Sequence, residues 1–266
     1  MGDEELESLL EEIRADLKRW QGESGGVFYS GRSALVKGDF YLMGLNPGGD
    51  PKTTKISIDE SLKQWKGEKD PNWSAYKDEN WVNDDNDKSK NGTARHQVRV
   101  RDFCENLLRK DFRTIFSANS LFVRTTKEIH LREKRPEEYE MLLADCWKVH
   151  QRILSIVRPK IIVCLGNGPN SSFLKLRDWL KVSPEYVKAQ DFPNPKRGRN
   201  FYIRWFDKPT KSENKQEFNS FDFRVVGVPH PSWFDLRSEE FRGAWESLTT
   251  SPGWLLDCSF MKGYLP

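Results

Sequence analysis

Two short motifs place polar side chains where chemistry could take place. Asn46 lies in Gly44-Leu45-Asn46-Pro47-Gly48, directly after the apolar run 40–43, and His230 lies in His230-Pro231-Ser232, after the apolar run 225–228. Buried strands of a parallel sheet have such apolar runs, and ligands of α/β proteins bind just beyond the carboxyl ends of these strands. We therefore expect a carboxamide and an imidazole to meet in one crevice, where the imidazole could donate a hydrogen bond to a developing anion.

Each motif also has a purely structural interpretation. Pro47-Gly48 favours a tight turn with Asn46 as the turn former. Pro231 biases His230 towards extended backbone, where the ring could simply bond to nearby main chain. Ser232 could hold a phosphate or cap the turn.

Two further segments carry candidate binding groups. Asn119 ends the apolar segment 115–119, and its carboxamide offers a donor and an acceptor to the edge of a base, although it could equally be a strand-end turn residue. The turn containing Gly166, Asn167 and Ser171 precedes a predicted helix and could bind phosphate through backbone N–H groups. It lacks the spacing of the known phosphate-binding motifs, so a structural role is also open.

The elements that must position these residues follow from hydrophobic patterning. The pattern predicts strands at 39–44, 114–118, 161–165, 200–206 and 223–228, and helices at 3–20, 94–109, 136–157, 171–181 and 238–248. The segment 1–25 is read as an N-terminal helix, and 49–92 as an irregular polar insertion with one short helix near 58–65. Alternating strands and helices predict a single α/β domain over 1–266, with a mainly parallel sheet covered on both faces.

Composition narrows the functional classes. The net charge of +3 gives no bulk argument for nucleic acid, but residues 95–135 hold eleven basic against five acidic side chains, which suit either a phosphate backbone or a solvated helix face. The four cysteines lack the spacing of zinc or iron–sulfur ligands, so we expect no metal and no cofactor. No leader or membrane-length apolar stretch is present, which predicts a soluble cytoplasmic protein without a membrane partner.

Taken together and in this order, these residues resemble the uracil-DNA glycosylase superfamily. Gly44–Gly48 looks like the first motif of that superfamily in its Asn-type variant, and 228–232 looks like the second motif in its His-type variant. Asn119 lies where the family places the asparagine that reads the uracil edge, and 161–166 resembles the intervening core strand. The resemblance covers roughly residues 38–250.

The resemblance implies a three-layer α/β/α sandwich around a short, mainly parallel four-stranded sheet. It implies a monomeric, metal-independent enzyme whose partner is DNA and which hydrolyses the N-glycosidic bond of uracil or a related base after flipping it out of the stack. Asn46 would position the attacking water and His230 would bond the departing anion. The base-binding residues would be Gly44, Leu45, Gly48 and Asn119, and the DNA-binding residues would be Ser232, Trp233, Phe234, Gly166, Asn167 and Ser171, with Phe234 as the wedge between bases.

Three departures from the family pattern leave alternatives open. No aromatic residue occurs from 47 to 64, so Trp65 or another insertion tryptophan would have to stack on the base. Trp233 stands where a second proline is common, and the insertion is long. Gly48 replaces a tyrosine of some members, which leaves room for thymine or oxidised 5-substituted uracils. The competing functions are a superfamily fold that binds nucleic acid or a nucleotide without cleavage, an unrelated α/β enzyme, and a protein-interaction domain.

Overall fold

The structure is a computed structural model that describes residues 2–81, 90–126, 131–133, 135–193, 201–207 and 221–250. It has an α/β fold. The strands are β1 (Phe40–Gly44), β2 (Phe116–Asn119), β3 (Ile161–Leu165), β4 (Lys188–Phe192), β5 (Phe201–Asp207) and β6 (Arg224–Val228). The helices are α1 (Asp3–Asp16), α2 (Ile58–Gly67), α3 (Ala75–Asp78), α4 (Arg95–Asp102), α5 (Pro136–Val157), α6 (Ser172–Trp179) and α7 (Glu239–Thr250).

The described strands form one mixed sheet in the order β2-β1-β3-β6-β5-β4. The first four are parallel to one another, whereas β5 is antiparallel to both β6 and β4. The expectation of a four-stranded sheet is therefore wrong. Residues 193–200 alone join β4 to β5, fewer than the dozen or so that a parallel crossover needs, so these two strands form an antiparallel pair.

Both faces of the sheet are covered because the central strands are apolar at consecutive positions. In β1, Tyr41 and Met43 join the hydrophobic cluster that includes buried residues of α1, α5 and α6. Phe40 and Leu42 point the opposite way and join the cluster that includes buried residues of α4 and α7. This period of two is the side-chain alternation of a strand, and it accounts for the apolar runs before both motifs.

The described part of the predicted irregular insertion contains two helices, which corrects its reading as one short helix in a loop. Helix α2 begins with a capping box in which Ser57 and Glu60 satisfy each other's backbone N–H groups. Trp65 is 5% exposed and its indole Nε1 donates to the Ser30 carbonyl at 2.7 Å. It belongs to the core and is not available to stack on a ligand. Residues 82–89 of the insertion lie outside the described part.

The chain before β1 runs beside β2. Phe28 forms an antiparallel bridge with Ala118, and the Tyr29 N–H donates to the Ser117 carbonyl at 2.9 Å. This antiparallel pairing places Tyr29 beside Ser117 of β2, two residues before Asn119. Among the described helices, none combines the length and the apolar character required to span a bilayer.

Candidate functional site

Asn46, Asn119 and His230 all emerge at the carboxyl edge of the parallel strands. Gly44 at the end of β1 pairs with Asn119 at the end of β2, and β3 separates β1 from β6. Asn46 and His230 each follow their strand by two residues, so they stand about two strand spacings apart, roughly 10 Å. Gly166 leaves β3 between them with φ +138°, and a Cβ built on it would lie 3.5 Å from the His230 ring. Because residue 166 is glycine, the residue that follows β3 places no side chain in the space between the two motifs.

Asn46 has a fixed amide orientation. Its Nδ2 donates to the carbonyl oxygens of Thr125, at 2.8 Å, and Pro47, at 2.9 Å. Both amide hydrogens are thus used, and Oδ1 has no hydrogen-bond partner among the described residues. A carboxamide held in this way offers an acceptor in a set direction, which suits a water molecule or a ligand hydroxyl.

Asn119 is pinned between its neighbours and presents an unused donor. Asn119 is 7% exposed, and its Nδ2 has no partner within hydrogen-bond distance in the described structure, although the side chain lies close enough to the Tyr29 hydroxyl to lower its pKa. A Cβ on Gly44 would lie 2.0 Å from Asn119 Oδ1, so the side chain fits only because residue 44 is glycine. A buried amide without a partner costs stability, which makes Nδ2 a candidate for binding an acceptor on a ligand.

His150 of α5 forms a hydrogen bond with the main chain of Asn119. Its Nε2 lies 2.9 Å from the Asn119 carbonyl oxygen, and its Nδ1 lies 2.9 Å from the Tyr41 hydroxyl. The carbonyl can only accept, so Nε2 carries the proton and Nδ1 accepts from Tyr41. Burial lowers the pKa of His150 to about 4, against the bonds to Asn119 and Ser120 that favour the charged form, so the ring is neutral near pH 7.

His230 is arranged as a neutral hydrogen-bond donor. The backbone N–H of Ser232 donates to His230 Nδ1 at 3.2 Å, which leaves the proton on Nε2. Burial lowers the pKa of His230 to about 4, so the ring is uncharged near neutrality. The amides of Trp233 and Phe234 both donate to the His230 carbonyl at 3.0 Å, which closes the turn on the histidine.

Four aromatic side chains form a wall beside these polar groups: Tyr29, Tyr76, Trp81 and His96, which we call the aromatic wall. The Trp81 ring centroid lies 5.7 to 5.8 Å from those of the other three. His96 in turn lies 5.3 Å from His230. The wall adjoins the strand-end groups. Tyr76 is 4% exposed and supports the wall from the core, so the ring faces on which a planar ligand could stack are those of the partly exposed Tyr29, Trp81 and His96.

A carboxylate fixes Trp81. Its indole Nε1 donates to Glu79 Oε2 at 2.7 Å, and burial raises the pKa of that carboxyl against the lowering effects of Trp81 and Arg124. Burial, assisted by Glu79, also raises the pKa of the Tyr29 hydroxyl, while Arg124 and the Asn119 side chain act in the opposite direction. Sequence reasoning missed Tyr29, Tyr76 and His96, whereas Trp81 is one of the insertion tryptophans that it left open as a stacking residue. The abundance of aromatics in 73–81 is the one signal that could have suggested them.

The backbone of the first motif continues the pairing with the chain after β2. The Leu45 carbonyl accepts from Leu121 N at 2.9 Å and from Ser120 Oγ at 2.8 Å. Gly48 is exposed, a Cβ on it would have no neighbour within 4 Å, and its carbonyl accepts from Arg124. Leu45 therefore fixes the loop through its main chain, and Gly48 leaves open space.

The glycine-rich turn uses its polar side chains internally. Asn167 Nδ2 donates to the carbonyls of Tyr202, at 2.6 Å, and Gly227, at 3.0 Å. Ser171 Oγ accepts from Leu174 N at 3.4 Å and caps α6. Both side chains are buried, so they tie the sheet and helix together, and any phosphate contact in this turn would have to come from its main chain.

The aromatic pair after the second motif is divided between surface and core. Trp233 is 75% exposed, whereas Phe234 is 8% exposed and packs 4.7 Å from Phe201 and 6.0 Å from Phe241, between ring centroids. Phe234 as a wedge is thus an incorrect expectation, because the ring would have to leave the core. Trp233 is the neighbour with a free side chain.

The arrangement can bind a planar polar ligand and stabilise negative charge on it. The site presents an acceptor at Asn46, a donor at Asn119, a neutral imidazole donor at His230 and stacking surface at the aromatic wall. In the described residues, no group of three or more His, Cys, Asp or Glu side chains is placed to hold a metal ion. Comparisons with models of known protein families and with curated proteins find no match to this chain.

Proposed function

We propose that this protein is a DNA base-excision glycosylase that hydrolyses the N-glycosidic bond of uracil or a related base. The observation that carries the proposal is the common strand edge from which Asn46, Asn119 and His230 emerge, with Asn46 and His230 about two strand spacings apart, roughly 10 Å. The α/β fold with helices on both faces of the sheet also suits the sandwich implied by the sequence resemblance.

In this proposal the base lies edge-on between Asn119 and His230. The unpaired Asn119 Nδ2 donates to the O4 carbonyl of the base, and His230 Nε2–H donates to O2. One such donor to a developing oxyanion is worth about 3–4 kcal/mol in the transition state. The aromatic wall takes the place of the stacking residue that is missing from 47–64, with Trp81 held by Glu79.

Asn46 positions the attacking water in this mechanism. Its Oδ1 accepts a hydrogen from the water, while the two carbonyls on Nδ2 prevent the amide from turning over. A carboxamide cannot take a full proton, so it orients the water towards the sugar while bond breaking runs ahead of attack. The electron pair of the glycosidic bond leaves with the base as an anion, which His230 stabilises, and the proton that the water loses on bonding to the sugar passes through solvent to that anion.

DNA contacts are assigned to exposed groups near the second motif. Trp233 is the side chain available to fill the space that the flipped base leaves, and unstacking a base costs a few kcal/mol that such a wedge can offset. The open space at Gly48 predicts that bases with a substituent at C5 are accepted as well as uracil.

The test is release of a base from a defined oligonucleotide. A uracil-containing strand is incubated with the protein in EDTA and then treated with alkali, which breaks the strand only at an abasic site. We expect cleavage by the wild type and a fall of about 10²–10³-fold in His230→Ala, as for the loss of one oxyanion donor. Asn46→Ala should also be slowed, and both variants should retain DNA binding.

Tyr186→Ala is a suitable control, because Tyr186 is 68% exposed and precedes β4 at the sheet edge opposite β2. Absence of strand breaks with the wild type on single- and double-stranded substrates containing uracil, thymine mismatches or 5-substituted uracils would refute the proposed activity. Salt-dependent DNA binding without breaks would favour the non-cleaving alternative.

A further inference from the structure

We propose that His96, on the first turn of α4, is a positioning residue for His230 and acts on it through Ser232. The proposal rests on the function proposed above, since His230 is the oxyanion donor there. The sequence resemblance assigns His96 no role. The proposal comes from the contacts between α4 and the second motif.

Ser232 bridges the two imidazoles. Its Oγ lies 3.1 Å from His96 Nδ1, and its backbone N–H donates to His230 Nδ1 at 3.2 Å. The two ring centroids are 5.3 Å apart and the rings are inclined by 58°. One serine thus contacts both histidines at the same type of nitrogen, and its placement decides whether His230 keeps its proton on Nε2.

The same helix holds the motif at a second point. Arg99 lies one turn after His96, so both side chains are on one face of α4. Its Nη1 donates to the Pro231 carbonyl at 2.6 Å, and its Nε lies 3.3 Å from Asp235 Oδ1. Helix α4 therefore contacts the loop at Pro231, before Ser232, and at Asp235, after it.

His96 is itself held in place. Its ring is nearly parallel to that of Tyr76, at 13° and 6.3 Å, and the Tyr76 hydroxyl lies 3.0 Å from Ser117 Oγ on β2. The next residue, Gln97, is fully buried and donates to the carbonyls of Ala75 and Glu79. This packing fixes the plane of the His96 ring, and the contact with Ser232 Oγ selects the ring edge that carries Nδ1.

Removal of the polar atom of His96 would release Ser232 Oγ. The peptide unit that carries the Ser232 N–H would then be held by the bond from Arg99 to the Pro231 carbonyl without the second hold through Ser232 Oγ, so the hydrogen bond to His230 Nδ1 would weaken and the imidazole would be fixed less firmly in orientation and tautomer. Misplacement of a reacting group by about 1 Å can lower a rate by up to about 10²-fold. Binding of DNA depends on other contacts and should change little.

A matched pair of variants separates this role from simple packing. His96→Phe keeps an aromatic ring in the wall and removes the polar atom, whereas His96→Asn removes the ring and keeps a polar atom close to the position of Nδ1. We expect the single-turnover rate of base release to fall at least about tenfold in His96→Phe, which keeps a ring in the aromatic wall, and to fall less in His96→Asn, where the loss reports the missing ring alone. DNA affinity should be unchanged in His96→Phe, because the wall keeps four aromatic rings.

Ser232→Ala removes the same link from its other end and should lower the rate about as much as His96→Phe. The double variant should be no slower than either single one, because all three lack the same contact. Multiplicative losses, or a rate in His96→Phe within about twofold of wild type, would overturn the inference. If His96→Phe does not fold, as judged by its thermal transition, Ser232→Ala decides the same question.

A readout without catalysis distinguishes failure of this inference from failure of the proposed function. The nitrogen chemical shifts of His230 report its tautomer, which should be Nε2–H in the wild type and a mixture in His96→Phe. An inactive wild type that shows this difference would refute the glycosylase proposal and leave the positioning role standing. An unchanged Nε2–H tautomer in His96→Phe would overturn the positioning role, whatever the activity.

Discussion

Replacement of Gly44 by alanine should disturb Asn119 and little else. The added methyl would lie 2.0 Å from Asn119 Oδ1 and 3.2 Å from its Cγ, and no other atom beyond the adjacent residues comes within 4 Å. The φ angle of Gly44 is outside the left-handed region, so an alanine there adds no backbone strain. The whole effect of the substitution therefore passes through one contact.

The magnitude follows from the size of the overlap. Non-bonded carbon and oxygen atoms pack at about 3.5 Å, so the Asn119 side chain must retreat by more than about 1 Å. Overpacking of this kind costs about 1–3 kcal/mol of stability. A shift of about 1 Å in a binding group can lower kcat/KM by about 10²-fold, which equals about 2.7 kcal/mol in the transition state.

The assay is a double-mutant cycle measured by urea unfolding and by base release. In an Asn119→Ala background the clash is absent, so Gly44→Ala should cost almost nothing in either measurement. Gly67→Ala is the control, because a Cβ there would have no neighbour within 4 Å. Equal costs of Gly44→Ala in both backgrounds would refute the reasoning, since the methyl would then act on something other than Asn119.

Three further predictions test the site and its surroundings. Phe234→Ala should lower the free energy of unfolding by about 3–5 kcal/mol, whereas Trp233→Ala should change it by less than about 0.5 kcal/mol. Urea unfolding measures both values, and equal effects of the two substitutions would contradict the placement of one ring in the core and the other on the surface. Between pH 6.5 and 4 the unfolded state binds more protons than the folded state at His150, whose pKa burial lowers to about 4. The free energy of unfolding should therefore fall as the pH drops through this window, by up to about 3 kcal/mol from this residue. In His150→Gln the midpoint of urea unfolding should decrease less between pH 6.5 and pH 4 than it does in the wild type. Gly48→Tyr should retain release of uracil but lose release of 5-substituted uracils, measured on matched oligonucleotides, and equal loss on both would contradict an open space at C5.

Much of the fold could be predicted because the central strands carry a strong local signal. Strand β3 and helix α5 lie at the predicted residues, since a run of five buried apolar side chains and a 3.6-residue apolar period are typical of those elements. Strand β4 was missed, because its residues Lys188–Phe192 are mostly polar and exposed and it is held by pairing with β5. The predicted helix at 94–109 ends as an α-helix at Asp102 and continues as a π-helical turn.

The residues of the candidate site also divide into those that the sequence predicts and those that it does not. Asn46, Asn119 and His230 were accessible from sequence, because strand ends place them by local rules. The aromatic wall was accessible only in part: Trp81 is one of the insertion tryptophans considered for stacking, whereas Tyr29 reaches the wall by pairing beside β2, and such a long-range contact leaves no local pattern. Phe234 failed for a related reason: a surface and a core aromatic can be adjacent in a turn, and tertiary packing alone decides which is which.

The aromatic wall has a consequence for how such a protein could diversify. Its rings come from chain segments outside the strands that carry Asn46, Asn119 and His230. Mutations around Tyr29 or Trp81 could therefore change which molecule is recognised without dismantling the apparatus that handles charge. Substitutions in these segments could thus alter ligand specificity during evolution, while the polar residues at the strand ends stay in place.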